Sequence, residues 1–179
     1  MCICYWQSNL NNNTQLHFLC YDKDKVGVFM KQQQYETMIA QIKALLEGEH
    51  DMIANMANLS AILYHSLPDI NWAGFYLYKK DELILGPFQG KVACMHIPLG
   101  KGVCGTCAKT LTLQLIDDVH SFPGHIACDA ASRSEIVLPI IKENTLLGVL
   151  DIDAPMLKRF DTTDAHYLSN VVELLVQSL

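Results

Sequence analysis

Cys128 stands in a loop of small and polar residues, GHIACDAAS, that is hard to bury. Two apolar runs follow, SEIVLPIIK and TLLGVLDID, and they carry the carboxylates Glu135, Asp151 and Asp153. A thiol near clustered acids suits redox chemistry on a small, amine-bearing substrate. The thiolate is the nucleophile; once oxidised to a sulfenic acid it needs a second thiol to clear it as a disulfide. A protonated acid supplies a proton, and an ionised one holds an ammonium group.

Asp151 and Asp153 are two positions apart on a strand, so their side chains share a face. Like charges this close do not all ionise easily, which raises at least one pKa. An isolated Asp-x-Asp is more often a solvated strand end, so the pair gains meaning only if Glu135 and Cys128 join it. That sets a condition on register. A two-residue loop at Glu143-Asn144 pairs Lys142 with Thr145 and puts Glu135 opposite Ile152, on the wrong face. A three-residue loop, or a bulge near Pro139, puts it opposite Asp153.

The other cysteines carry weaker signals. Cys94, alternating with Val92 and His96 in KVACMHI, reads by itself as a buried strand residue. Cys104-Gly-Thr-Cys107 at a helix start resembles a dithiol redox pair, because a helix N-terminus lowers a thiol pKa. It lacks the βαβ setting of such motifs. Four thiols, Cys94, Cys104, Cys107 and Cys128, could bind zinc, but a single C-x-x-C is thin evidence and no metal is expected. His120 and His125 are better suited to turns than to tuning Cys128. Gly100-Lys101-Gly102 lacks the full phosphate-loop pattern.

Positioning these groups takes a particular order of elements. Tyr35, Met38, Ile39, Ile42, Leu45 and Leu46 form one helical face over 31–47, and a second helix runs from Met52 until Pro68 ends it. Strands follow in NWAGFYLY, ELILG, KVACMHI, LTLQLID, SEIVLPIIK and TLLGVLDID, with PFQG as a turn and a short helix near Val103. A closing helix from Thr162 buries Tyr167, Leu168, Val171, Val172 and Leu175. Strands so closely spaced pair antiparallel. The fold expected is α+β, a central antiparallel sheet of about six strands with N- and C-terminal helices packed on one face. Residues 1–29 have no steady period and carry Asn11-Asn12-Asn13. They read as an appendage, disordered or translated from an upstream false start, leaving 30–179 as a single domain. Cys2, Cys4 and Cys20 are bystanders in this reading.

The chain has 179 residues, half of them hydrophobic, and a net charge of −6. A negative chain suits neither nucleic acid nor an anionic membrane, and no apolar run nears the roughly 20 residues of a membrane span. Seven cysteines make an odd set for a disulfide framework. A reducing, cytoplasmic setting is expected.

The segments WAGFYL, LGPFQG, IPLGKGVCG, DVHSFPGHIACDAASRSEIVLP and GVLDIDAP resemble the free methionine-(R)-sulfoxide reductases, which are built on a GAF domain. The resemblance runs from about Met30 to the C-terminus. It implies a GAF-like catalytic domain over 30–179, reduction of free L-methionine-(R)-sulfoxide, recycling by thioredoxin, and no cofactor. It makes Cys128 in GHIACD the nucleophile, Cys94 in VAC the resolving thiol, and Cys104 in GVCG the third family cysteine. Glu135, Asp151 and Asp153 then line the substrate pocket, and Trp72 and Tyr76 form its apolar wall. Cys107 is a departure, standing where a small non-thiol residue is expected. The alternatives are a non-catalytic GAF sensor for a small ligand such as a cyclic nucleotide, and a redox or zinc switch using the C-x-x-C pair. A sensor usually carries an output domain, for which the chain has no room. Monomer and homodimer remain open.

Overall fold

The computed structural model describes the backbone of residues 2–7, 17–124 and 129–179, and within these the side chains from Val26 onward. Cys128 and His125 lie outside the described residues, as do the side chains of Cys2, Cys4 and Cys20. The chain divides into two compact units, Met1–Thr37 and Met38–Leu179.

In the first unit, β1 (Cys2–Gln7) and β2 (His17–Asp22) pair antiparallel. No strand was expected here. CICYWQ and HFLCYD are rich in the aromatic and branched residues that favour strands, but too short for a period to stand out. Helix α1 (Lys23–Leu46) starts seven residues before the apolar pattern that opens at Met30 and continues into the second unit.

The second unit contains α2 (Met52–Ser66), β3 (Trp72–Lys79), β4 (Glu82–Gly90), β5 (His96–Pro98), α3 (Gly102–Thr110), β6 (Gln114–Ile116), β7 (Ser134–Lys142), β8 (Thr145–Ala154) and α4 (Thr162–Ser178). Its strands form one six-stranded antiparallel sheet in the order β5-β4-β3-β8-β7-β6. Asp51 caps α2 by accepting from the N–H of Ala54, and Asp161 and Asp164 form a reciprocal capping box at the start of α4. These caps explain why both helices begin where the sequence pattern places them.

Alternation along the strands sorts the sheet into two faces. Phe75, Leu150, Ile152, Ile136 and Leu138 are buried on one, where α2 packs on β3 and β4 and α4 packs on β7. Met56, Leu59 and Leu63 of α2, with Leu168 and Leu175 of α4, are fully buried. Each contributes about 1.5–3 kcal/mol of apolar burial. The opposite face presents Trp72, Tyr76, Val137 and Val149, which pack against Val103, Cys104, Cys107 and Ala108 of α3. It is the face that bears the site.

Two expectations about the edge strands need correction. PFQG is no turn: β4 runs through it, with an irregular step in its pairing to β3 between Gly74 and Tyr76. Pro87, which cannot donate to a ladder, is tolerated at such a bulge. KVACMHI is not a whole strand either. Only His96–Pro98 pairs with β4, and Cys94 lies half-buried in the preceding loop.

The hairpin of β7 and β8 meets the register condition by a bulge. Glu143 and Asn144 both adopt positive φ, 48° and 63°, making a two-residue turn that pairs Lys142 with Thr145. Between Ile140 and Ile141 the register then shifts, and the extra residue, Leu147, falls on β8. Beyond it Glu135 faces Asp153 and Val137 faces Asp151. Next to the bulge, a Cβ added at Gly148 would stand 2.2 Å from the backbone oxygen of Tyr76 on β3. Backbone cannot swing aside as a side chain does. Gly148→Ala is therefore expected to lower stability by about 1–3 kcal/mol, read as a drop in the urea midpoint. An unchanged midpoint would refute so close an approach of the two strands.

Candidate active site

The three carboxyls meet because β7 and β8 pair in this register, with β3 on the other side of β8. Asp153 is opposite Trp72 on β3 and Glu135 on β7, and Asp151 is opposite Gly74 and Val137. All project to the α3 side of the sheet. There they line a cavity with Trp72, Tyr76, Ala93, Lys101, Cys104 and Ser132. Its interior is small, with about 40 Å³ open to water. Trp72 and Tyr76 stack at 5.9 Å between ring centres, and Trp72 stacks on Phe88 at 5.3 Å, giving the cavity a flat apolar wall.

These two aromatics also do something the sequence did not suggest. Trp72 Nε1 donates to the carbonyl of Lys91 at 3.1 Å, and the Tyr76 hydroxyl donates to the carbonyl of Cys94 at 3.1 Å. Their polar ends thus hold the loop that carries Cys94. Cys94 is disulfide-bonded, while Cys104 and Cys107 are free thiols, so its partner is neither of them.

At the mouth a polar set left unassigned at the sequence level comes together. Asn71 Nδ2 donates to Ser132 Oγ at 3.0 Å and to Asp129 Oδ2 at 3.2 Å, and Lys91 pairs with Asp129 at 3.4 Å. The N–H of Ala131 donating to Asp129, helped by Asn71 and Lys91, holds that carboxyl below its usual range. Asp129 stays ionised. The start of α3, Lys101 and Gly102, also faces the cavity.

Inside, the electrostatics reverse. Burial, then the charges of Asp151 and Asp153, push the Glu135 carboxyl well above the carboxylate range. Asp153 touches the cavity solvent but is enclosed by protein on most sides; that enclosure and the charge of Asp151 raise it as well. Asp151 rises to about 6, driven by burial and held back by hydrogen bonds from Cys104 and Glu135. The cluster therefore keeps protons at neutral pH, with Asp151 the readiest to ionise. Among the described residues, Asp151 Oδ1 is buried with no hydrogen-bond partner. A bare buried carboxylate oxygen is costly, and it marks a place that suits a ligand's donor.

The C-x-x-C pair lacks the lowered thiol pKa that a helix start by itself would give. Cys104 Sγ lies 3.7 Å from Glu135 Oε1, and Cys107 Sγ lies 3.7 Å from the carbonyl of Val137. Burial, then the charges of Asp151 and Glu135, push the Cys107 thiol up to about 12 and the Cys104 thiol well above its ordinary value. The helix N-terminus acts within a turn of α3, but desolvation beside acids outweighs it. Asp118 caps the single turn Val119–Ser121, its Oδ1 accepting from the backbone N–H of His120.

The carboxyl cluster has a consequence for stability. Its acids bind protons more tightly folded than unfolded, so their contribution is complete below the unfolded range near pH 4 and is lost as pH rises through about 6 for Asp151 and through the raised pKa values of Glu135 and Asp153. Between about pH 5 and about pH 8, the melting temperature should fall further for the unaltered protein than for Asp151→Asn, by on the order of 5 °C. Parallel profiles from calorimetry would refute the shift.

The GAF domain family model matches residues 54–179. Among curated relatives, the free methionine-R-sulfoxide reductase of Escherichia coli is 52% identical, over 83% of this chain and 90% of its own. The chain belongs to the free methionine-(R)-sulfoxide reductase family. The Saccharomyces cerevisiae reductase is 44% identical, over 83% of this chain and 87% of its own. The X-ray structure of the Neisseria meningitidis reductase in complex with its substrate superposes at a TM-score of 0.80 and 40% identity, over 92% of this chain and 94% of that one. The α+β sheet described above is thus the GAF fold of this reductase family. Among the described residues, no helix is long and apolar enough to cross a membrane.

Proposed function

We propose that the chain reduces free L-methionine-(R)-sulfoxide to methionine in the cavity between α3 and the sheet. The convergence of Glu135, Asp151 and Asp153 there, with Asp151 Oδ1 unpartnered among the described residues, carries this reading. An ionised Asp151 accepts from the substrate ammonium, and the methionine side chain lies against Trp72 and Tyr76. Cys128 thiolate attacks the sulfoxide sulfur. Glu135 or Asp153, protonated at neutral pH, gives its proton to the oxygen. Methionine leaves and Cys128 retains the oxygen as a sulfenic acid. Cys94 thiol then displaces that oxygen as water, forming a disulfide with Cys128. The half-buried Cys94, disulfide-bonded while Cys104 and Cys107 stay free, supports its assignment as resolving thiol. A thioredoxin dithiol reduces this disulfide and is itself oxidised.

Cys104 acts in this scheme as a positioning residue, its thiol directed at Glu135, and Cys107 as a bystander. Residues 30–179 form the catalytic domain, working in the cytoplasm, and 1–29 are an appendage.

The test is a turnover assay on the separated diastereomers of free methionine sulfoxide with a dithiol reductant. Consumption of the R form alone is expected. Loss of neither form, or of the S form instead, would overturn the reading.

A further inference from the structure

The weighing of zinc above turned on the C-x-x-C pair, but Cys107 is directed at the carbonyl of Val137 and not into the cavity. Another set is better placed. Cys104, Glu135 and Asp151 are all buried, and each offers one ligand atom within 4.8 Å of the other two. Cys104 Sγ and Glu135 Oε1 are already 3.7 Å apart. At ordinary zinc–sulfur and zinc–oxygen lengths, ligand atoms of one tetrahedral ion lie roughly 3.3–3.7 Å from each other. The set is thus within about an ångström of a tetrahedral arrangement. Independently of the clustering, Asp151 Oδ1 is buried and unpartnered among the described residues.

We propose that Cys104, Glu135 and Asp151 form a binding site for a thiophilic divalent cation, Zn²⁺, which occupies the cavity in competition with the substrate's ammonium group. One thiolate and two carboxylates are a donor set that zinc accepts, and the cavity side leaves the fourth position for water. Binding takes the thiol proton and any carboxyl proton off the ligands and releases them to solvent. Calcium and magnesium are disfavoured because three protein ligands including sulfur do not meet their demand for six or more oxygens. The cation holds the acids in their charged form, and so removes both the proton donor and the ammonium partner. The site would make the reductase zinc-sensitive by blocking its pocket, with no separate regulatory domain.

The competition rests on the function proposed above; the site itself does not. The test is therefore a Co²⁺ titration of the full-length oxidised protein, in which Cys94 is already engaged, followed by absorption. A thiolate-to-cobalt band should appear with one equivalent, persist in Cys107→Ser, disappear in Cys104→Ser and weaken at least tenfold in apparent affinity in Glu135→Gln. Zn²⁺ should displace the cobalt. No band in the unaltered protein, or an undiminished one in Cys104→Ser, overturns the site. Adding free methionine should bleach the band; a band indifferent to methionine overturns the competition. Reductase activity, assayed in chelator, is read separately, so its absence would sink the function without touching the cobalt result.

Discussion

Cys128→Ser should abolish reduction of methionine sulfoxide, lowering turnover by on the order of 10³-fold or more. The size of the effect follows from the step itself. The attacking atom must be nucleophilic at neutral pH, and serine at its free pKa is not, whereas a cysteine is partly thiolate. It must also carry the oxygen away as a sulfenic acid, which a hydroxyl cannot do. The loop GHIACDAAS is small and polar, so with the thiols kept reduced the substitution should leave the melting temperature nearly unchanged, which separates lost chemistry from lost fold. Cys94→Ser makes the matching control. It should still yield about one methionine per protein in a single-turnover burst, then fail to cycle with thioredoxin. Substantial turnover by Cys128→Ser would make the assignment wrong, and loss of the burst in Cys94→Ser would move the nucleophile to Cys94.

The second large effect concerns which methionine sulfoxide is accepted. A free amino acid brings an ammonium group, and a methionine within a peptide does not. Charge-assisted hydrogen bonds contribute about 1.5–3 kcal/mol each. N-acetylation forfeits the charge and leaves a neutral amide to face Asp151 Oδ1, which has no hydrogen-bond partner among the described residues. Catalytic efficiency on N-acetyl-methionine-(R)-sulfoxide should therefore be lower by on the order of 10²-fold or more. Asp151→Asn should erode the preference chiefly by weakening turnover of the free amino acid. Equal kcat/KM on the two substrates would sink the ammonium pocket and leave the Cys128 chemistry standing.

Periodicity along the helices and alternation along β7 and β8 were legible in the sequence. Asp151 and Asp153 had to share a face, and Glu135 could join them only through a longer loop or a bulge; Leu147 supplies the bulge. α2 and α4 begin where Asp51 and Asp161 cap them. What stayed hidden depends on surroundings that no local pattern encodes. PFQG carries turn residues, yet the neighbouring strand β3 holds it in the sheet. Cys94 sits in an apparently regular run, but only its last residues find a partner strand. A dithiol motif at a helix start implies lowered pKa values. The acids that reverse this for Cys104 and Cys107 come from strands far along the chain.

Leu147 also bears on how such a hairpin tolerates change in length. Losing it would leave Lys142 with Thr145, Ile141 with Leu146 and Ile140 with Gly148 in an uninterrupted ladder, and Glu135 would still face Asp153. Loss of Val149 instead is absorbed once Leu147 takes up the pairing with Ile140. A residue added between Leu147 and Asp151 finds no such slack and turns Asp151 and Asp153 from the cavity toward the helices. The hairpin thus keeps one residue in reserve: β8 can be shortened by one, and not lengthened, without losing the site.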